Sequence, residues 1–258
     1  NQFTGPFILR RMKSEVLREL PPKTENVRRV ELETEQRKLY LAAVVDAREK
    51  LRAAKPEDKM TVFAVLMRLR EICCDPRLVA DNWTGSSAKL EACLELVTEA
   101  VAGGHRILLF SQFTSMLELL AKRLDEAGVS HFTLQGSTPK PVRAEQVRRF
   151  NQGEADVFLI SLRAGGTGLN LTAADIVIHY DPWWNLAAQN QATDRAYRIG
   201  QRNPVQVYRL IAQDTIEEKI VELQQAKQSL ADTVTGGADG AILSMNPEQL
   251  LQLLGEEA

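Results

Sequence analysis

Several features that would assign this chain to a particular class of protein are missing from it. The 258 residues include three cysteines, Cys73, Cys74 and Cys93, which form neither a C-x-x-C pair nor a disulfide framework. The three histidines occur without H-x-E or H-E-x-x-H spacing, so we predict no metal site and no catalytic triad. No apolar run approaches the roughly 20 residues that a membrane span requires. We therefore expect an intracellular protein in a reducing setting, with no membrane partner.

The motifs of a self-sufficient nucleotide enzyme or serine hydrolase are missing as well. No G-x-x-x-x-G-K-[ST] segment occurs, so the chain has no P-loop of its own to hold ATP phosphates. No G-x-S-x-G nucleophile elbow is present either. The chain also opens at Asn1 without an initiator methionine, and we expect it to be part of a longer protein.

The composition excludes a disordered or fibrous chain. Hydrophobic residues make up 44% and charged residues 26%, which is typical of a globular protein. The net charge of −2 does not by itself require nucleic acid. Basic residues nevertheless outnumber acidic ones from 135 to 211, and the reverse holds from 216 onward. A nearly neutral total can therefore conceal a basic face beside an acidic tail.

The order of apolar runs predicts an α/β fold. After residue 87, short runs that are apolar throughout alternate with amphipathic segments. Strands that are apolar on both faces and separated by helices indicate a mostly parallel sheet with helices on both faces. Ligands bind such sheets at the loops that follow the carboxyl ends of the strands. The predicted strands are 107–110, 131–134, 157–160, 176–180 and 205–211, and the predicted helices are 88–101, 113–127, 139–151, 185–199 and 216–230. Thr138 is predicted to be the N-cap of the helix at 139–151.

The first third of the chain is predicted to be mostly helical. A strand at 26–32 is followed by a helix from 34 to 54, with Thr34 as its N-cap. A second helix from 60 to 74 ends before Pro76, because the residue before proline disfavours helical geometry.

A glycine-rich segment from 161 to 171 follows a predicted strand. Glycines let backbone N–H groups approach an anion closely, and Ser161 and Arg163 would add donors. The segment does not match G-x-G-x-x-G, because Leu171 takes the last glycine position, which disfavours a dinucleotide fold. Taken alone, it is more typical of a flexible turn. Its glycines are Gly165, Gly166 and Gly168.

A second polar segment carries a pair of arginines. On a helix, Gln191, Arg195 and Arg198 would share one face. Arginine presents a permanently charged fork that matches phosphate oxygens and can stabilise the transition state of phosphoryl transfer. The alternative is a surface helix in which Asp194 and Arg198 form a structural ion pair.

Two adjacent tryptophans, Trp183 and Trp184, come after the predicted strand at 176–180. Tryptophans in a loop usually pack on the core. They are also enriched at interfaces, where an apolar ring with a polar edge is useful. The pair therefore has two interpretations, core packing or a binding surface for DNA or a partner.

Taken together, these segments resemble the second RecA-like lobe of the Swi/Snf family of ATP-dependent DNA translocases in helicase superfamily two. The resemblance covers nearly the whole chain, and the matching blocks occur in the family's order. They are 6–25 (the linker into this lobe), 69–76 (the LRxICxHP helix), 107–120 (motif IV), 135–151 (the next block), 161–171 (motif V), 191–201 (motif VI) and 216–220 (the brace helix).

The resemblance implies a RecA-like α/β lobe with a helical protrusion and a C-terminal brace helix. It divides the chain into an inter-lobe linker (1–25), a strand and helical protrusion (26–87), the RecA-like lobe (88–215), and a brace helix with a tail (216–258). The chain departs from the family pattern at Cys74-Asp75, Leu162, Leu186 and Tyr197, and none of these changes removes an arginine.

The resemblance also implies a role for each candidate residue. Arg195 and Arg198 would be arginine fingers for ATP and Mg²⁺ that the first lobe mainly holds. Gln191, Gly166 and Gly168 would also serve the nucleotide site. The residues implied to contact DNA are Ser111, Gly136, Ser137, Ser161, Arg163, Gly165 and Trp184.

The expected function is that of the second motor lobe of a double-stranded DNA translocase, with the chain alone inactive. Its partners would be double-stranded DNA, the N-terminal RecA-like lobe and DNA-bound protein complexes. The expected location is the cytoplasm or nucleoid of a prokaryote, or the nucleus of a eukaryote. Two alternatives stay open: a DEAD-box RNA helicase lobe, which the QAxDRxxRxGQ form and the extra helices disfavour, and a non-catalytic nucleic-acid-binding or protein-binding module.

Overall fold

The computed structural model describes residues 20–165, 168–231 and 245–255, without the side chains at 163, 165 and 227–231. The strands are β1 Lys23–Val30, β2 Ile107–Ser111, β3 His131–Leu134, β4 Val157–Ser161, β5 Ile176–His179 and β6 Val205–Ala212. The helices are α1 Thr34–Ala53, α2 Lys59–Cys74, α3 Ala88–Ala102, α4 Thr114–Glu126, α5 Lys140–Asn151, the short α6 Leu162–Gly165, α7 Leu186–Thr193, α8 Ile216–Ala231 and α9 Pro247–Leu253.

The strands form one parallel sheet in the order β1-β6-β5-β2-β4-β3. Strands β2, β4 and β5 are buried along their whole length, which is why their sequences are continuous apolar runs. The predicted α/β fold with a parallel sheet is confirmed. Of the helices in the described ranges, none is long and apolar enough to span a membrane.

Strand β1 forms one edge of this same sheet, although the sequence grouped it with the protrusion. It pairs with β6 along its full length, from Lys23 opposite Val205 to Val30 opposite Ala212. Most of its side chains are exposed. Charged side chains on an edge strand oppose pairing with a second chain. Residues 1–19 of the predicted linker lie outside the described residues.

The hydrophobic core has three parts. Helices α3 and α4 cover one part of the sheet, and α5 and α7 cover another. The third part lies within the helical protrusion, where α1 and α2 pack with the start of α8 and with α9. Its fully buried side chains include Leu51, Leu66, Ile220 and Leu250. The protrusion is therefore joined to the sheet through the brace helix α8.

Two predicted helix caps are wrong. Glu33, not Thr34, occupies the N-cap of α1, and its side chain makes no capping bond. Pro139, not Thr138, occupies the N-cap of α5. The Thr138 hydroxyl instead accepts a hydrogen bond from the Gln135 backbone N–H at 3.0 Å, which closes the turn after β3.

A buried ion pair anchors α8. Lys89 at the start of α3 donates to Glu217 at 2.6 Å, and neither side chain is exposed. Glu217 also accepts from the Ala212 backbone N–H at 2.9 Å. Burial alone would lower the pKa of Lys89, but the Glu217 carboxylate outweighs it and raises that pKa above its ordinary value. The pair stays charged and fixes the two helix starts together.

Lys89→Met should destabilise the chain strongly, because Glu217 would be left as a buried carboxylate without its cation. Removing one partner of a buried pair costs about 3–5 kcal/mol. Urea unfolding measures the loss. As a control, Arg123→Met breaks the exposed pair with Glu91 and should cost less than about 1 kcal/mol. Equal losses in the two variants would contradict the anchoring role.

Candidate DNA cleft and arginine loop

A cleft of about 720 Å³ opens at the carboxyl edge of the sheet, with α2 as its opposite wall. Parallel strands deliver their carboxyl ends to one edge, so residues that are distant in sequence meet there. Four of the residues predicted to contact DNA line this cleft, namely Gly136, Ser137, Ser161 and Trp184. The wall formed by α2 consists of Phe63, Met67 and Glu71, and the remaining lining residues are Gln112, Phe113, Thr114, Ser115, Gln135 and Trp183.

The described lining of the cleft is mostly neutral. Hydroxyl and amide groups dominate beside the aromatic rings, and Glu71 is the one charged residue among the described lining side chains. Burial raises the pKa of Glu71. No atom lies within 4 Å of a Cβ built on Gly136, so its backbone is open to a ligand. Neutral hydroxyls and backbone N–H groups of this kind bind phosphate and sugar oxygens and fix the register of a duplex.

The two serines at the strand ends have different environments. Ser111 is fully buried, donates to Asp181 at 2.6 Å and accepts from the Phe113 backbone N–H at 3.1 Å. Its hydroxyl is therefore not available to DNA. The predicted direct contact of Ser111 with DNA is wrong, and the residue instead supports the strand end through Asp181. Ser161 is 3% exposed and accepts from the Ala164 backbone N–H at 3.3 Å. It lies at the floor of the cleft.

The rest of the glycine-rich segment is described in part. Gly165 ends the short helix α6, on which Arg163 also lies, and the side chain of Arg163 is not described. Gly168 is exposed, with open space around it. Gly166 lies outside the described residues. The roles of these four residues stay predictions.

Arg70 on α2 packs against the loop that carries the two tryptophans. The Arg70 guanidinium lies 4.0 Å from the centroid of the Trp184 ring and 3.4 Å from the Asp181 carboxylate. Asp181 in turn accepts from the Gln112 backbone N–H at 3.2 Å. Sequence reasoning gave Arg70 and Asp181 no role. The sequence did contain one indication, because Arg70 is a charged residue among the apolar residues that α2 buries.

The sequence predicted that the arginine pair lies on a helix, but the structure places both arginines after the helix has ended. Helix α7 starts at the Asn185 N-cap, whose side chain accepts from the Ala188 backbone N–H at 2.9 Å, and it ends at Thr193. Residues 194–200 form turns and a bend. Gln201 stabilises these turns, because its amide donates to the carbonyls of Ala174 at 2.7 Å and Ala196 at 3.2 Å. Gln191, Arg195 and Arg198 therefore do not share a helix face. Sequence reasoning missed Gln201.

The arginine loop, residues 194–201, lies over a face of the sheet. At one end Thr193 meets His179, the last residue of β5, and at the other Gln201 meets Ala174, just before β5. Lys23, at the start of β1, lies 5.9 Å from the centroid of the Tyr197 ring. The loop is therefore separate from the cleft at the carboxyl edge, where sheet topology alone placed the ligand site.

Arg195 and Arg198 have different environments. Arg195 is 7% exposed, and its backbone carbonyl accepts from Leu171 N–H at 3.0 Å. Its buried Nε has no hydrogen-bond partner in the described part of the chain. Arg198 and Gln191 are exposed. Burial and the neighbouring Arg198 lower the pKa of Arg195, while Asp194 opposes this. A buried N–H donor beside an exposed cation is a donor set that fits a polyphosphate.

His179 supports the start of the arginine loop. It is buried, stacks on Phe110 at 5.6 Å between centroids, and its Nε2 lies 2.9 Å from the Thr193 hydroxyl. Burial, with a contribution from Arg209, lowers the pKa of His179 to about 3. The ring is therefore neutral near pH 7 and acts as a packing and hydrogen-bonding group.

Two known protein families match most of the chain. The helicase conserved C-terminal domain family matches residues 88–200, and the SNF2-related domain family matches residues 1–78. An uncharacterized ATP-dependent helicase from Mycoplasma pneumoniae is 40% identical over 253 residues, which are 98% of this chain and 24% of that protein. The chain thus spans about a quarter of the length of the curated relatives it matches.

Two solved structures from Sulfolobus solfataricus are similar over most or all of the chain. The SWI2/SNF2 ATPase core in complex with double-stranded DNA is 30% identical with a TM-score of 0.76, and the match covers 100% of this chain and 56% of that one. The C-terminal domain of a SWI2/SNF2 ATPase is 27% identical with a TM-score of 0.75, and the match covers 92% of this chain and 100% of that domain.

Acid should destabilise the chain through His179. The folded-state pKa of about 3 lies below the ordinary 6.5, so the unfolded state binds the proton first and stability falls as the pH drops below 6.5. Between pH 7 and pH 5, protonation of this residue in the unfolded state should lower the free energy of unfolding by about 2 kcal/mol. Urea unfolding at several pH values tests it. His179→Asn should lose this pH dependence of stability, and His131→Asn should retain it. If the stability of His179→Asn varied with pH as that of the unmodified chain does, His179 would not be its source.

Proposed function

Because this chain belongs to the SNF2 family of ATP-dependent helicases, in which it forms the C-terminal RecA-like lobe, we propose that it is the second motor lobe of a double-stranded DNA translocase. In this proposal the lobe provides arginine fingers and part of the track for the DNA backbone. The N-terminal lobe would hold most of the ATP and its Mg²⁺, and the chain alone would not hydrolyse ATP.

The observation that carries the proposal is the cleft at the carboxyl edge. It collects Gly136, Ser137, Ser161 and Trp184 from the ends of three strands. Neutral donors along one wall suit phosphate oxygens, which are the same in every sequence, so little base preference is expected. The similar Sulfolobus ATPase core in complex with double-stranded DNA supports duplex DNA as the ligand. The RNA helicase alternative leaves α1 and α2 unexplained, and α2 is one wall of this cleft.

The arginine loop supports the catalytic part of the proposal. Arg198 is exposed and can reach a group delivered by another lobe, whereas Arg195 is buried beside it, and its Nε–H has no partner among the described residues. ATP supplies the phosphoryl group when bound. Arg198 would donate to the phosphate oxygens as charge develops on them, and Arg195 would hold the loop and add a second positive charge. Closure of the two lobes would bring Arg198 into place.

Arg198→Ala, in the protein that contains both lobes, should lower ATP hydrolysis by about 10³-fold or more, because an arginine finger contributes that much to phosphoryl transfer. Steady-state ATPase assays at saturating DNA measure the effect. Arg202→Ala is the matched control, since Arg202 is also exposed and lies just after the loop. Near-normal hydrolysis by Arg198→Ala would leave Arg198 with a structural role only.

Binding of duplex DNA should weaken linearly on a log–log plot as salt rises, with a slope of about 0.9 for each phosphate neutralised. Arg163→Ala should reduce this slope by about one phosphate contact, whereas Ser137→Ala should weaken binding without changing the slope, because a hydroxyl displaces no counterion. Fluorescence anisotropy with a labelled duplex measures both. A salt-independent affinity, or stronger ATPase stimulation by RNA than by duplex DNA, would contradict the proposal.

A further inference from the structure

Arg70 has an environment that stability alone does not explain. It lies on α2 with no solvent exposure. Its Nη2 donates to the Pro182 carbonyl and lies 3.4 Å from the Asp181 carboxylate. Its Nε and Nη1 have no hydrogen-bond partner among the described residues. A buried guanidinium with unsatisfied donors costs free energy, and an apolar side chain of similar volume is often at least as stable.

The same guanidinium is packed against rings that line the cleft. It lies 4.0 Å from the centroid of the Trp184 ring and 5.7 Å from that of Phe113. The Trp184 ring also lies 6.5 Å from that of Phe63, which is 41% exposed on α2. Trp184 therefore packs against two residues of α2. A cation over an indole face fixes both the position and the tilt of the ring.

We propose that Arg70 is a positioning residue, which sets the Trp184 ring in the cleft and thereby couples the protrusion helix α2 to the contact with DNA. The proposal rests on the proposed function of the cleft. It deepens that function, because it names the group that determines how Trp184 meets the duplex. Arg70 itself does not reach the cleft, since its side chain has no exposure.

The geometry requires arginine and not simply a positive charge. The planar fork of arginine can donate to Pro182 and lie near Asp181 while its face stacks on Trp184. The ammonium of lysine is a compact point charge without a face to stack. Arg70→Lys should therefore keep the ion pair but release the ring, and Arg70→Met should remove both interactions.

The test uses the protein with both lobes. The substitutions Trp83→Phe and Trp183→Phe leave Trp184 as the tryptophan of this chain whose fluorescence is measured. Acrylamide quenching of Trp184, the duplex concentration for half-maximal ATPase stimulation, and kcat at saturating duplex are measured. Fluorescence from tryptophans outside this chain is subtracted with a Trp184→Phe version of the same protein. We expect Arg70→Lys and Arg70→Met to raise the half-maximal duplex concentration by about 10-fold. Quenching of Trp184 should rise, and kcat at saturating duplex should change less than twofold.

A destabilised core provides the control for indirect effects. Leu124→Ala opens a cavity under the last turn of α4, where Leu124 is fully buried in the core that α3 and α4 form on the sheet. It should lower the midpoint of unfolding without changing Trp184 quenching or the half-maximal duplex concentration. A shift of duplex affinity in Leu124→Ala as large as that in Arg70→Lys would overturn the proposal.

A double-mutant cycle separates this proposal from the proposed function. If Arg70 acts through Trp184, then Arg70→Lys in a Trp184→Ala background should have no further effect on duplex affinity. Full additivity would overturn the positioning role even though DNA binding stands. If the unmodified protein does not bind duplex DNA, the proposed function fails by itself. Trp184 quenching then still tests whether Arg70 holds the ring. Unchanged quenching in both Arg70 variants would overturn the positioning role of Arg70.

Discussion

The arrangement of the cleft depends on one carboxylate that has no access to solvent. Asp181 accepts hydrogen bonds from the Ser111 hydroxyl and the Gln112 backbone N–H at the end of β2, and it lies against Arg70 of α2. Burial raises its pKa, while Arg70 and the Ser111 hydrogen bond act in the opposite direction. Three segments that are far apart in sequence thus meet at one side chain. The distance between the α2 wall and the strand ends is set there.

Helix α7 links the two candidate sites mechanically. Its eight residues, about 12 Å of helix, start just after Trp184 and end at Thr193, where the arginine loop begins. Its Ala192 packs in the core under β5, and His179 holds its last residue. Close-packed helices move as units and transmit small displacements. In the proposed motor, a shift of the tryptophan loop on DNA would therefore move Arg198, and this movement would link DNA contact to ATP hydrolysis.

Features that depend on periodicity and topology could be predicted from the sequence, whereas features that depend on single side chains were missed. The parallel sheet brings Gly136, Ser137 and Trp184 to one edge, so strand order explains why they meet in a cleft. The end of α7 could not be predicted, because the hydrogen bonds of Gln201 that stabilise the turns after it are made across the fold. The burial of Ser111 was hidden for the same reason, since nothing in its local sequence shows that Asp181 takes its hydroxyl.

Two buried ion pairs, Lys89–Glu217 and Arg70–Asp181, contact the two residues that directly follow β5, and they differ in how well their hydrogen bonds are satisfied. The Lys89–Glu217 pair is short and its carboxylate has a further backbone donor, as expected of a fixed anchor. Its ammonium lies 5.5 Å from the Tyr180 ring, directly before Asp181. The Arg70–Asp181 pair is longer, and two nitrogens of Arg70 have no hydrogen-bond partner in the part of the chain that the structure describes. A well-satisfied buried pair makes its surroundings rigid, whereas buried donors without partners cost free energy. The Lys89–Glu217 pair is thus a structural anchor, and the unfavourable environment of Arg70 agrees with the proposal that this residue is retained to set the Trp184 ring.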